Sequence, residues 1–216
     1  MSWGGVVRAY AIEDRPAVRA IACETAARGE PVEAFFDDRE VFADLLTRYY
    51  TDWEPGSLWV AEAGGQIAGY LTGCLDGRRY LERMAWPIGP QAAMRALARG
   101  TLLHPCMRRM AAAGFRTWRL HGFDRPHLVD YPAHMHLNLL REARGQRIGE
   151  RLVRRFMEQV MEARLPGIHA SIRGDNERAR RFFERLEFRE LARYPMVLPA
   201  GEAFERHETV IYGRRV

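Results

Sequence analysis

The chain of 216 residues contains no lysine, so all 33 of its lysine-or-arginine positions are arginine. That absence excludes Schiff-base chemistry, a lysine general base and the lysine of a Walker-type phosphate loop. Coding bias is the simplest account of it, although the planar guanidinium fork suits phosphate oxygens wherever arginines converge. Cysteine is scarce: Cys23, Cys74 and Cys106 are widely spaced and form no CxxC pair, and their odd number argues against a disulfide framework. Cys74 and Cys106 sit in apolar patterns and read as core residues. No apolar run approaches the roughly 20 residues that span a bilayer. The opening MSWGGVVRAYAIEDR lacks the basic leader, apolar block and small-residue cleavage site of a secretory signal. The expectation is a protein of the reducing cytoplasm with no membrane partner. Neither an internal repeat nor a low-complexity linker is present, so residues 1–216 are expected to form a single domain.

What the chain does contain is ordinary globular material, with 47% hydrophobic and 28% charged residues. The net charge is only +5, acidic residues are interspersed throughout, and aromatics are not seen interleaved with arginine on one basic face. Nucleic acid is therefore disfavoured as a partner. Residues 6–12 read as a strand, followed by a helix over 15–27 that Asp14 can cap and that carries Pro16 in its first turn. A second helix is expected over 38–52. Strands over 57–62 and 66–75 flank Gly64-Gly65 as a hairpin. Residues 78–120 look mostly helical, with Leu102, Leu103, Cys106, Met107 and Met110 on one stripe, and 116–121 allow a short strand. Residues 123–132 read as a loop, and 188–191 and 209–213 as closing strands.

The densest information lies after residue 133. Over 134–140, His134, His136 and Asn138 alternate with Met135, Leu137 and Leu139, the period of a strand. A short basic turn over 141–149 leads into a helix in which Ile148, Leu152, Phe156 and Val160 recur every four residues. A strand over 168–173 follows, then a helix begun by Asp175-Asn176. Strand, helix and strand within about 40 residues imply a parallel pair joined by a right-handed crossover. A glycine-containing turn running into a helix presents free N–H groups at a positive helix end, a site for an anion such as a pyrophosphate. The spacing is neither GxxxxGK[ST] nor GxGxxG, which sets aside nucleoside triphosphates and dinucleotides. The alternative is that Gly145 and Gly149 merely shape a tight turn. His134 and His136, two apart on one strand face, lack a third ligand of recognisable spacing for zinc. They read either as functional imidazoles or as hydrogen-bonded strand residues.

Arg144-Gly145-Gln146-Arg147-Ile148-Gly149 resembles the acyl-CoA signature of the Gcn5-related N-acetyltransferase (GNAT) family, Arg/Gln-x-x-Gly-x-Gly/Ala. Arg147 departs from it, standing where the family usually has glycine; a helical φ at a first-turn position does not demand glycine. Downstream, the segment from Asp175 to Phe188 resembles the family pattern Asn, then Ala-x-x-Phe-Tyr-Glu-x-x-Gly-Phe. Phe183 occupies the position of a tyrosine that protonates the leaving thiolate in many family members; water or another hydroxyl can serve instead, Tyr131 being one candidate. The resemblance is strong over about 134–190. The block at 78–120, with the segment 131–136, is similar to the acetyltransferase-like domain attached to some β-N-acetylglucosaminidases.

The resemblance implies an α/β fold of GNAT type: a mixed, mainly antiparallel central sheet flanked by helices, with a helical insertion around 78–120. It implies acetyl-CoA as co-substrate and transfer of the acetyl group to a small-molecule or peptide amine. Leu139 and Leu140 are expected to offer backbone groups to pantetheine and to polarise the thioester carbonyl. Arg144, Gly145, Gln146, Arg147, Ile148 and Gly149 are expected to hold the pyrophosphate. Asn176 lines the cofactor arm and Phe183 lies beside the thioester. Arg178, Arg180 and Arg181 read mostly as a solvated helix face. The stretch 134–140 also resembles the corresponding strand of arylalkylamine N-acetyltransferases, where a His-x-His pair relays protons. On that resemblance His136 is the base and His134 its relay, with pKa values near the ordinary 6.5, and Asn138 orients the substrate or a water. The alternative is a non-catalytic acyl-CoA-binding or protein-interaction module, to which Phe183 and Arg147 point. A homodimer is compatible with the sequence.

Overall fold

The structure, a computed structural model, describes residues 4–26, 31–121, 128–200 and 203–216. Strand β1 (Val6–Ala9) is followed by helices α1 (Arg15–Glu24) and α2 (Arg39–Asp52) and then by strands β2 (Leu58–Ala63) and β3 (Gln66–Cys74). Gly64 and Gly65 both hold positive φ in the β2–β3 turn, the geometry a two-residue hairpin requires. Three helices come next: α3 (Gly77–Arg83), α4 (Gly89–Ala98) and α5 (Pro105–His121). Strand β4 (Ala133–Leu139), helix α6 (Ile148–Glu162), strand β5 (Gly167–Arg173) and helix α7 (Glu177–Arg185) precede the long hairpin of β6 (Arg189–Ala200) and β7 (Ala203–Arg215). The seven strands form one sheet in the order β1-β2-β3-β4-β5-β7-β6, antiparallel throughout except between β4 and β5.

Each face of the sheet is covered because its strands alternate. On one side Met135 of β4, Leu71 of β3 and Ile168 of β5 meet Ile148, Leu152, Phe156 and Val160 of α6, all buried. Gly73 makes this packing possible: a Cβ there would lie 2.2 Å from the Phe156 ring. On the other side Tyr70, Leu58 and Val60 pack against Val18 and Ile21 of α1 and Tyr49 and Tyr50 of α2. The insertion 77–121 sits against the start of α2, where Ala92 and Ala96 of α4 join Val41 and Phe36 in a third cluster. Two buried carboxylates fasten it. Asp38 accepts from Val41 N–H as the α2 cap and from Arg99 and Thr101. Asp44 bonds Arg19 of α1 and Arg95 of α4. Among the described residues no helix is long and apolar enough to cross a membrane.

Several local expectations are corrected. Asp14 does not cap α1; its carboxylate is taken by Arg8 at 2.6 and 2.8 Å and by the Ala11 N–H. Helix α1 ends at Glu24, and residues 27–30, into which the expected helix ran, lie outside the described residues, as does the first part of the expected loop 123–132. Residues 116–121 are not a strand but the last turns of α5. Their alternation is short, and Thr117 is drawn onto β6, accepting from Val197 N–H at 2.8 Å. The helical block is broken by Trp86, whose φ and ψ are extended, and by Pro87. Leu103 leaves the expected stripe and is 76% exposed. The outward face of α5 does interleave exposed Phe115 and Trp118 with Arg108 and Arg119, an arrangement that arises because residues 116–121 are helical. The closing strands are far longer than expected. Pro195 and Pro199 disguise β6, but it is the sheet edge, where a residue without an N–H is tolerated.

Candidate active site

The ladder between β4 and β5 is two residues long, Ala133 opposite Ile168 and His134 opposite His169. Past His134 and His169 the strands part, and a cleft of about 1320 Å³ opens between Met135–Leu139 of β4 and Ala170–Arg173 of β5. Its lining includes the start of α6 and, beyond the end of α1, Thr25 and Ala26. The β5 side of β4 thus offers backbone groups to a ligand instead of to a strand. A second hollow of about 370 Å³ between α1 and α2 is lined by Arg15, Arg19 and Arg39. Their guanidinium groups are already bound by Asp52, Asp44 with Glu40, and Glu24 with Glu33, so we place the chemistry at the larger cleft.

At the α6 end, β4 passes through a turn of 3-10 helix (Arg141–Ala143) into residues 144–147. Gly145 has φ 80°, and Arg147, the N-cap residue, has φ 60° and ψ 14°. Arg147 is therefore left-handed, which corrects the helical φ expected for it; a side chain there costs roughly 1–2 kcal/mol, and glycine suits the position for that reason. The N–H groups of the first turn of α6 have no intrahelical partners and point, with the positive end of the helix dipole, into the cleft. Arg144, Gly145, Arg147, Ile148 and Gly149 all line it. Gly149 also has a packing role, since a Cβ there would meet Leu137 at 3.1 Å and the Phe182 ring at 3.3 Å. Six arginines line the cleft against Glu150 and Glu177. Among the described residues Arg147, Arg178 and Arg185 have no carboxylate partner, which leaves positive charge on the cleft wall. Arg178 and Arg181 are cleft residues rather than a purely solvated face, while Arg180 turns to the Tyr212 hydroxyl.

Two of the expected binding residues are placed elsewhere. Leu140 does not line the cleft, and its N–H donates to Ala68 O at 3.0 Å, so it has no free donor for a thioester. Gln146 turns its side chain to Glu142 O at 2.7 Å. Leu139 does line the cleft, with its carbonyl accepting from Arg144 Nε at 3.0 Å. Asn176 lines it too while capping α7 through Ala179 N–H. Phe183 is buried against Phe182, Phe188 and Tyr212 with one edge on the cleft. Tyr131 is not among the lining residues; its ring packs near Gly167 and Gly213 and its carbonyl binds His169, so it is misplaced for the acid role.

His136 lines the cleft and is half-buried, and no hydrogen bond to its ring is found among the described residues. Burial first, and His169 second, push its pKa down to about 4, which corrects the ordinary value expected from the sequence. His134 stands behind it, the ring centroids 6.1 Å apart, with Nε2 held 3.1 Å from the Tyr50 hydroxyl. Asn138 donates to Thr25 Oγ1 at 2.6 Å. Sequence reasoning missed His169, Tyr50, Thr25 and Arg185. Only His169 left a signal: it opens the second strand of the βαβ unit, where a parallel neighbour of His134 has to fall.

Comparison with known proteins fits this geometry. Residues 127–188 match the sequence model of the acetyltransferase (GNAT) family. The crystal structure of SsHAT superimposes with a TM-score of 0.73 and 26% identity, over 98% of each chain. The fold is that of the GNAT acetyltransferases. An N-acetyltransferase from Staphylococcus aureus Mu50 shares it at a TM-score of 0.59 and 13% identity, over 98% of each chain. So does a GNAT superfamily phosphinothricin acetyltransferase from Sinorhizobium meliloti, solved in complex with AcCoA, at 0.59 and 14% identity over 98% of this chain and 88% of that one. In GNAT terms the family match covers β4, α6, β5 and α7, the elements that build the cleft.

Proposed function

We propose that the protein is an acetyl-CoA-dependent N-acetyltransferase. The observation that carries the reading is the forked cleft, whose lining brings together a helix N-terminus, arginines that have no carboxylate partner among the described residues, and the imidazole of His136. The first turn of α6 with Arg144 and Arg147 suits the pyrophosphate, Arg178 and Arg185 suit further phosphate, and the open side of β4 along Leu137 and Leu139 suits the pantetheine amides. Asn176 and Phe183 border the arm, Phe183 as apolar wall and not as proton donor. An acceptor amine enters beside His136, Asn138 and Thr25. Its nitrogen attacks the thioester carbonyl, the C–S bond breaks, and the CoA thiolate leaves with the electron pair. His136, neutral above about pH 4, accepts the amine proton. A base of such low pKa is poor at stripping a free ammonium ion and better matched to the more acidic nitrogen formed as attack proceeds. His134, fixed by Tyr50, stands next in line.

The left-handed Arg147 and the missing tyrosine at 183 support a second reading, a non-catalytic acyl-CoA-binding module of the same fold. Thiol release from acetyl-CoA over a panel of small amines, amino acids and peptides separates the two. Turnover with any acceptor, lost in His136→Gln with acetyl-CoA affinity kept within about threefold and kcat/KM down roughly a hundredfold, supports the enzyme. Tight acetyl-CoA binding with no turnover across the panel supports the module.

A further inference from the structure

Charge is divided unevenly along the chain. Residues 77–121 hold nine arginines against one acidic residue, Glu82, a net charge of +8 in a chain whose total is +5, so the remainder is −3. The same stretch holds eight of the twelve large hydrophobic side chains that are exposed among the described residues. None of those eight lines the cleft or the hollow between α1 and α2.

Helix α4 is turned inside out. Ala92 and Ala96 face the third cluster, and Arg95 and Arg99 are bound by the buried carboxylates of Asp44 and Asp38. The opposite face is left to Ala93, Met94, Leu97 and Ala98, which are all exposed, Met94 to 62% and Leu97 to 63%, with no charge among them. Trp86, 71% exposed, stands at the kink before the helix, and exposed Leu103 follows it. Basic side chains are exposed on the helices to either side in sequence: Arg78, Arg79 and Arg83 on α3, Arg108 and Arg119 on α5. Of these five, only Arg78 has a carboxylate partner among the described residues, and that partner is the exposed Glu82.

We propose that the outward face of α4, with the arginines of α3 and α5, is a docking surface for an anionic lipid bilayer. Met94, Leu97 and Trp86 enter at the boundary of headgroups and acyl chains, and the guanidinium groups bind lipid phosphates. Charge complementarity selects this occupant. A second copy would set one +8 surface against another. A polynucleotide would answer the arginines but not Met94, Leu97 and Leu103, which have no π-face on which a base can stack. The contact is peripheral, since no described helix is long and apolar enough to cross a membrane. It replaces the expectation of no membrane partner, which rested on the lack of a spanning run, and it does not depend on the acetyltransferase reading.

The test is co-sedimentation of the full chain with vesicles of phosphatidylcholine alone and with about one third phosphatidylglycerol. Binding to the anionic vesicles should be at least roughly tenfold tighter than to the neutral ones and should weaken steeply with added salt. Trp86 fluorescence, read as the difference from Trp86→Phe, should shift to the blue on binding. Met94→Glu/Leu97→Glu should weaken binding at least roughly tenfold at parental Tm and parental acetyl-CoA affinity. Absence of binding to anionic vesicles overturns the proposal, as does equal binding to both vesicle types or parental binding by the double variant. Self-association without vesicles that the double variant abolishes gives the face to a second copy and overturns it too, as does tighter binding to a DNA duplex that the double variant leaves intact. Should the double variant fail to fold, Arg79→Gln/Arg108→Gln decides: it should weaken anionic-vesicle binding roughly tenfold, and parental binding refutes the surface.

Discussion

Replacing His136 by glutamine should flatten the acid side of the stability curve. In the unfolded chain a histidine titrates near 6.5, whereas in the fold burial and His169 bring His136 down to about 4. Between those values the unfolded state binds a proton that the folded state refuses, so stability is lost as pH falls. The sign follows from the depressed folded value: the contribution is fully present above the unfolded pKa, declines below it, and is gone once pH passes the folded pKa. At 1.36 kcal/mol per pH unit, the whole effect approaches about 3 kcal/mol and amounts to roughly 2 kcal/mol at pH 5. That is a large share of the 5–15 kcal/mol typical of a folded domain. Urea unfolding of parent and His136→Gln at pH 7.5 and pH 5 reads it as a difference of differences. Other histidines and carboxylates are common to both proteins and cancel, and so does any fixed cost of burying the amide. The parent should lose roughly 2 kcal/mol more than the variant on acidification. Superimposable pH dependence of the two proteins would refute a desolvated, neutral His136.

Arg147→Gly should raise the unfolding free energy by roughly 0.5 kcal/mol, read as a higher urea midpoint, since relief of left-handed strain outweighs the added freedom of the unfolded chain; a lower midpoint contradicts the φ of 60°. Arg178→Gln should weaken acetyl-CoA binding roughly tenfold by calorimetry, the scale of one charged hydrogen bond, without moving Tm in the absence of ligand; equal affinity removes Arg178 from the site. Gly73→Ala should cost about 1–3 kcal/mol in unfolding free energy, because its methyl group would fall 2.2 Å from the Phe156 ring; an unchanged Tm would mean that α6 does not rest on β3 there.

Elements whose signals are local were legible in the sequence alone. The hairpin around Gly64-Gly65, the strand–turn–helix from residue 134 onward, the four-residue period of α6 and the Asn176 cap all depend on neighbours within a turn or two of chain. The glycine-containing turn that leads into the first turn of α6 was legible for the same reason. What the sequence left open depended on contacts between distant segments. Whether residues 116–121 extend a helix was decided by Val197, about eighty residues on, gripping Thr117. The length of β6 and β7 was set by their pairing with each other and tolerated two prolines only because β6 is an edge. The direction of the Leu140 N–H was fixed by Ala68 across the sheet. Alternation along β4 showed that His134 and His136 share a face, but desolvation is a property of what covers that face, and α1, α2 and β5 supply the cover. The ordinary pKa expected for His136 therefore fell to about 4 on folding. His169 came to stand beside His134 only because β4 and β5 are parallel neighbours that separate directly after it.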